Sequence, residues 1–266
     1  MRQRKNKCIK FKNYNFKIFI AIVVMAAILF NTAYGNELDR EDTKKAAKKI
    51  ILIDPGHGGR DGGGSSKSGI VEKEVNLEIS LKLREKLKEM GCEVIMTRDC
   101  DKGLYSDTAK NKKKEDLANR CKLKKDTNCD LFISIHQNMF PESKYYGAQV
   151  WYTDNAYSKK LAHMVQENLK MDLSDNNNRI EKPARDDYRI LRCEPKRPGI
   201  LVECGFLSNP QEAEKLAKNE YQQKLADSLA RSIKQYFDEY GDDYRNDGDN
   251  STFKVMKKYL LPWERK

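Results

Sequence analysis

An α/β domain, built on one mostly parallel or mixed twisted sheet with helices on both faces, is the fold class the sequence predicts. Three observations lead there. Short apolar runs such as Ile50-Ile51-Leu52-Ile53 and Gly199-Ile200-Leu201-Val202 end at turn or polar residues, as strands buried on both faces do. Between such runs lie segments whose apolar residues recur every three to four positions, the pattern of helices that pack by one stripe. The chain has 266 residues, 39% hydrophobic and 34% charged, enough to bury one sizeable core without the composition of a disordered protein. Strands alternating with helices imply helical layers around a parallel sheet, and no internal repeat is visible.

Regular structure begins with a strand at 50–53 that runs into a Pro-Gly turn. A helix follows over 74–90: Val75, Ile79, Leu83 and Leu87 are four apart, Leu77 and Leu81 widen the stripe, and Gly91 closes it as a left-handed cap. Val94-Ile95-Met96 is a second strand. The lysine-rich stretch 99–114 reads as an exposed loop leading into a helix near 115–125. Strands at 131–135 and 148–152, a helix over 156–169, a polar loop at 172–187 and a fifth strand at 199–203 complete the alternation. Asn209 caps a helix with Pro210 at its first position and Glu212 at its third. Tyr221, Leu225, Leu229, Ile233 and Phe237 mark the buried stripe of the last helix.

The formal charge of +11 invites a nucleic-acid partner, but its source argues otherwise. The first 35 residues hold seven Lys/Arg and no acid; without them 44 basic residues face 40 acidic ones, a net +4. Those basic residues precede a 13-residue apolar run, 18–30, and then Ala33-Tyr34-Gly35. A membrane-spanning helix needs roughly 20 apolar residues and a signal-peptide core about 7–15, so residues 1–35 read as a signal peptide cleaved after Gly35, with an uncleaved N-terminal anchor as the alternative. Either way the domain is expected outside the cytoplasmic membrane, touching it only through the leader. Residues 36–48 are a charged linker, 49–238 the folded domain, and 239–266 an acidic hinge with a basic, aromatic tail. Of seven cysteines, Cys8 belongs to the leader. The six others permit disulfides in an exported protein, without spacing that selects a pairing, and none forms the Cys-x-x-Cys of a thiolate zinc site.

Ligand sites in open α/β sheets lie at the carboxyl ends of strands, so polar residues there carry the functional reading. The first strand leads into Asp54-Pro55-Gly56-His57-Gly58-Gly59, the third into His136, and the fifth ends on Glu203. The glycine-rich loop lacks the Gly-Lys-Ser/Thr of a P-loop, and Asp61 stands where a dinucleotide fingerprint needs its third glycine. It suits instead a sharp turn that leaves space around His57. One strand-end histidine is ordinarily a packed, hydrogen-bonded side chain. Two, with a carboxylate at hand, make the donor set of a three-ligand catalytic zinc site. Glu72 or Glu74, where the first helix begins, could supply that carboxylate; as plain structure either would complement the helix dipole. His163, inside a helix, reads as a packing or surface residue.

Four segments carry a resemblance: Ile53-Asp54-Pro55-Gly56-His57-Gly58-Gly59, Glu72-Lys73-Glu74-Val75-Asn76-Leu77, Ser134-Ile135-His136-Gln137-Asn138 and Leu201-Val202-Glu203-Cys204-Gly205-Phe206-Leu207-Ser208-Asn209. In this order, across roughly Lys49 to Phe237, the chain resembles the zinc-dependent N-acetylmuramoyl-L-alanine amidases. The resemblance implies one Zn2+ held by His57, Glu72 and His136, a catalytic carboxylate at Glu203, and a peptidoglycan substrate. It also chooses Glu72 over Glu74. Gly147-Ala148-Gln149-Val150 resembles the germination-specific, spore-cortex branch, which prepares muramic-δ-lactam, and implies work in the cell wall or cortex. Gln137 and Met139 replace small residues common in the family, and 107–114 reads as an insertion. Asn138 and Arg192 are the candidate substrate-binding residues, with a surface role equally open for Arg192. A zinc peptidase of the stem peptide and a non-catalytic wall-binding module are the competing functions, and an activating protein partner stays open.

Overall fold

The computed structural model describes Met25, residues 48–173 and residues 176–246. The expected leader apart from Met25, nearly all of the linker and the basic, aromatic tail lie outside these residues. Six strands form one sheet: β1 (Ile50–Pro55), β2 (Glu93–Met96), β3 (Leu131–Asn138), β4 (Gln149–Tyr152), β5 (Lys182–Pro183) and β6 (Gly199–Phe206). Their order is β2-β1-β3-β6-β4-β5. All neighbours are parallel except β4 and β6, which makes the sheet mixed. The helices are α1 (Glu72–Glu89), α2 (Lys112–Thr127), α3 (Ala156–Leu173), α4 (Arg189–Arg192), α5 (Pro210–Leu216), α6 (Asn219–Tyr240) and α7 (Asp243–Asn246). No helix among the described residues is long and apolar enough to cross a membrane.

Strand alternation sorts the core into two layers. Ile51, Ile53, Leu131, Ile133, Ile135, Ile200 and Val202 point to the face covered by α1, α3 and α6, where Ile79, Leu83, Leu161 and Leu229 meet them. Leu52, Phe132 and Leu201 point to the other face, against Leu117, Cys121, Ile190 and Leu191 of α2 and α4. Helices on both faces of a mixed sheet are the expected fold class.

Several details differ from expectation. The first helix starts two residues earlier, at Glu72, and its stripe is widened by the buried Asn76 and Ser80 while Leu77 and Leu81 stay half-exposed. Asn76 is tolerated there because it finds partners: it donates to the Gly56 carbonyl at 3.2 Å and accepts from Gln137 Nε2 at 3.1 Å. β3 and β6 each run three residues beyond the expected strands, so His136 lies within a strand and Glu203 is no longer the last residue of its own. β5 and α4 have two and four residues, too few to show a period. Residues 241–245, grouped by sequence with the hinge, pack on the domain, where the Tyr244 hydroxyl donates to Asp130 at 2.7 Å. The six described cysteines are unbridged. Asn209 caps α5 as expected, accepting from Gln211 and Glu212 backbone N–H groups at 3.0 and 3.2 Å.

Candidate metal centre

Three segments distant in sequence meet at the carboxyl edge of β1, β3 and β6. The loop after β1 brings His57, the first residue of α1 is Glu72, and β3 carries His136. Glu72 Oε1 lies 3.1 Å from His57 Nε2 and 3.0 Å from His136 Nδ1. The two imidazole rings stand edge to face with centroids 5.0 Å apart. Their approach is close enough that glycine is required beside them. A Cβ on Gly56 would fall 2.2 Å from the His136 ring, and one on Gly63, whose φ is +71°, would fall 2.4 Å from Glu72 Oε2.

Each side chain is oriented by the backbone or by a further side chain. Glu72 accepts from Gly64 N–H on Oε2 at 2.7 Å and from Gln137 N–H on Oε1 at 3.1 Å. Burial pushes the Glu72 carboxyl up, but hydrogen bonds from His136 and His57 outweigh it and hold the group ionised. His57 adopts the left-handed conformation, φ +61°, and its Nδ1 lies 3.0 Å from Asp61 Oδ2. Burial lowers the His57 pKa, yet Glu72 and Asp61 raise it above its ordinary value.

Beneath the loop, two buried arginines hold its carbonyls. Arg98 donates to Pro55 O at 3.0 Å and to Gly56 O at 2.9 Å. Arg120 of α2 donates to Pro55 O at 2.8 Å, to His57 O at 2.6 Å and to Asp54 Oδ1 at 2.6 Å. Asp54, also bound by Thr97 and Ser134, is pushed up by desolvation but held below its ordinary range chiefly by Arg120. The stretch 99–114 is not simply solvated: Asp101 and Tyr105 accept from Gly59 and Arg60 N–H groups at 2.8 and 2.9 Å.

Glu203 is the direct register partner of His136 across β3 and β6, so both side chains stand on one face at the same level. Its Oε1 accepts from the Tyr188 hydroxyl at 3.3 Å, while Oε2 is buried with no hydrogen-bond partner among the described residues. Burial, helped by Glu72, lifts its pKa to about 7 against the opposing pull of His136.

The fit to a metal ion can be judged from these donors. One atom each from His57, Glu72 and His136 lies within 4.8 Å of the other two. Two imidazole nitrogens and a carboxylate oxygen suit zinc and leave a coordination position open. An ionised carboxylate with two imidazoles, crowded where no Cβ fits, is the donor chemistry such an ion requires. Glu74, the alternative to Glu72, is exposed.

The other candidates separate. Asn138 ends β3 beside the cluster, half-buried, its carbonyl accepting from Leu207 N–H at 2.9 Å. Arg192 is not brought to the cluster. It is half-exposed, bound to Asp186 at 3.1 Å, and lines a surface groove with Thr153, Arg185 and Pro195. His163 is exposed and paired with Glu181 at 3.2 Å. Sequence reasoning missed Asp61, Arg98, Arg120 and Tyr188. Arg98 follows the second strand and could have been found by the strand-end rule; the other three carry no such signal.

Comparison with known proteins bears on the family and the fold. A family model described as N-acetylmuramoyl-L-alanine amidase matches residues 51–235. A germination-specific N-acetylmuramoyl-L-alanine amidase of Bacillus subtilis is 42% identical over 185 residues, 68% of this chain and 76% of that protein. Among solved structures, the CwlD amidase from Clostridioides difficile, in complex with the GerS lipoprotein, is 42% identical, with a TM-score of 0.69 over 72% of this chain and 99% of that one. An N-acetylmuramoyl-L-alanine amidase from Clostridium difficile 630 is 31% identical, with a TM-score of 0.65 over 74% of this chain and 100% of that one.

Proposed function

Because the chain belongs to the N-acetylmuramoyl-L-alanine amidase family, we propose that it is a zinc enzyme cleaving the amide between the lactyl group of muramic acid and the L-alanine of the stem peptide. The observation that carries this reading is the His57, Glu72 and His136 cluster set beside a buried Glu203 that has one oxygen unpaired. His57, Glu72 and His136 would hold the ion. When bound, zinc supplies Lewis acidity, acidifying water and drawing electron density from the scissile carbonyl.

The remaining work falls to the chain. Glu203 Oε2, free of any partner among the described residues, accepts a proton from the water that attacks the amide carbon. The same carboxyl then delivers that proton to the departing nitrogen, so that the C–N bond breaks to give a carboxylic acid and the free amino terminus of the peptide. A carboxyl lifted toward neutrality suits both halves of this transfer. Tyr188, donating to Oε1, fixes the carboxylate's rotation and leaves Oε2 without a partner among the described residues. Asp61 holds the His57 ring with Nε2 turned to Glu72, where it would be a ligand to an ion.

The likeness to a germination-specific amidase and the sequence at 147–150 support spore-cortex peptidoglycan as the substrate. The leader supports export, with cleavage after Gly35 and action in the cell wall or cortex. The complex of the related amidase with a lipoprotein supports a protein partner for this chain too. Zinc-loaded protein incubated with purified cortex and with vegetative wall, followed by mass analysis, tests the whole reading. Expected products are glycan strands freed of stems, together with intact stem peptides bearing an L-alanine amino terminus, more abundant from cortex. Fragments cut within the stem would overturn the amide assignment, and equal yields from the two walls would overturn the cortex preference.

A further inference from the structure

Two of the unbridged cysteines come together on the α2 side of the sheet. Cys121 lies on α2, and Cys193 is the residue that ends α4. Both are half-buried against the core cluster of Leu52, Phe132 and Leu201. Both side chains pack on that one cluster, and Cys193 Sγ donates to the Ile190 carbonyl at 3.2 Å. Lys124, one turn along α2 from Cys121, donates from Nζ to that same carbonyl at 3.1 Å and sits 4.5 Å over the Phe132 ring. A buried ammonium therefore stands beside the paired sulfurs. The neighbouring Cys193 thiol lowers the Cys121 pKa against desolvation, and Arg189 and Lys124 add to it. Positive charge beside a thiol favours the thiolate, the form that attacks a disulfide.

We propose that Cys121 and Cys193 are a redox pair that closes into a disulfide, strapping α2 to the segment ending α4. The oxidant is an external disulfide of the glutathione class. The Cys121 thiolate attacks one of its sulfurs and expels one external thiolate. Cys193, after losing its proton to solvent, attacks the Cys121 sulfur, forms the 121–193 bond and expels the second thiolate. Two protein thiols are thereby oxidised by two electrons, and the external disulfide is reduced to two thiols.

The strap would join the supports of the two halves of the site. Arg120, next to Cys121, holds the His57 loop, and Tyr188, just before α4, holds Glu203. The proposal does not depend on the substrate assigned above. Its setting is an oxidising compartment, where disulfides persist.

The full chain is incubated with oxidised glutathione, alkylated, digested and analysed by mass spectrometry, alongside the Cys121→Ser, Cys193→Ser and Cys100→Ser variants. A cross-linked peptide pair joining 121 to 193 is expected in the wild type and in Cys100→Ser. Oxidation should raise the melting temperature of both by roughly 5–15 °C, reversibly with dithiothreitol, and should not raise it in the other two variants. Recovery of Cys121 and Cys193 both alkylated, or joined to other cysteines, overturns the pair. A bridged wild type that melts no higher overturns the strap.

Discussion

The two sides of the site are built to opposite rules. On the His57 side nearly every polar group is fastened: Glu72 accepts from two backbone N–H groups, and two buried arginines grip the carbonyls of 55–57. On the Glu203 side a single tyrosine hydroxyl, at 3.3 Å, holds one oxygen and leaves the other unpaired. A buried acceptor without a partner is costly in free energy, and this one stands on the same face and at the same level as His136. Ligands to an ion profit from being immobile. A group that must take and then return a proton profits from a free lone pair.

The comparison can be broken first at Glu203. Glu203→Gln should lower the amidase rate by about 10²–10⁴-fold, the usual span for a lost general base, with the melting temperature nearly unchanged. Assays of amino-terminus release with matched melting curves check this; near-normal turnover would remove Glu203 from the chemistry. The fastened side should respond in stability instead. Arg120→Ala leaves Asp54 buried without its cation and should cost about 3–5 kcal/mol in urea denaturation. A loss well under 1 kcal/mol would mean the loop does not need that support.

Tyr188→Phe sharpens the contrast at smaller scale. Losing one long hydrogen bond to a carboxylate should slow turnover by about tenfold or less, with unchanged metal content. A drop as large as that of Glu203→Gln would make Tyr188 part of the proton path rather than a positioning residue.

The smallest effect expected is one of pH. Asp54 is held below its ordinary value of 3.8, so its ionised form is worth more in the folded chain than in the unfolded one. That stability is complete above the unfolded pKa and is lost as pH falls through about 4 and below. Denaturation midpoints measured down the acid range should fall less steeply in Asp54→Asn than in the wild type. Parallel slopes would assign acid sensitivity to other carboxylates.

What the sequence revealed of this site follows from how local each signal is. His57 and His136 adjoin apolar runs, so their approach to one sheet edge follows from strand polarity alone. Glu72 and Glu74 were alternatives from the residues themselves, because both precede the helical stripe; the helix turns Glu72 inward with Asn76 and leaves Glu74 in water. Arg120 could not be found that way. On a lysine-rich helix it looks like any surface cation, and its partners, Asp54 and the His57 carbonyl, lie more than 60 residues away. Tyr188 sits in a polar stretch before a four-residue helix that has no period to read. The fold was legible for a related reason: β1, β3 and β6 are central strands written as apolar runs, whereas two-residue β5 depends on backbone pairing with β4.

Calorimetric titration of zinc into metal-free wild type, Glu72→Ala and Glu203→Gln tests the central claim most directly. One tight site per chain is expected in the wild type and in Glu203→Gln, with none in Glu72→Ala. Undiminished binding by Glu72→Ala, or its loss in Glu203→Gln, would contradict the division of the site into three ligands and one proton carrier.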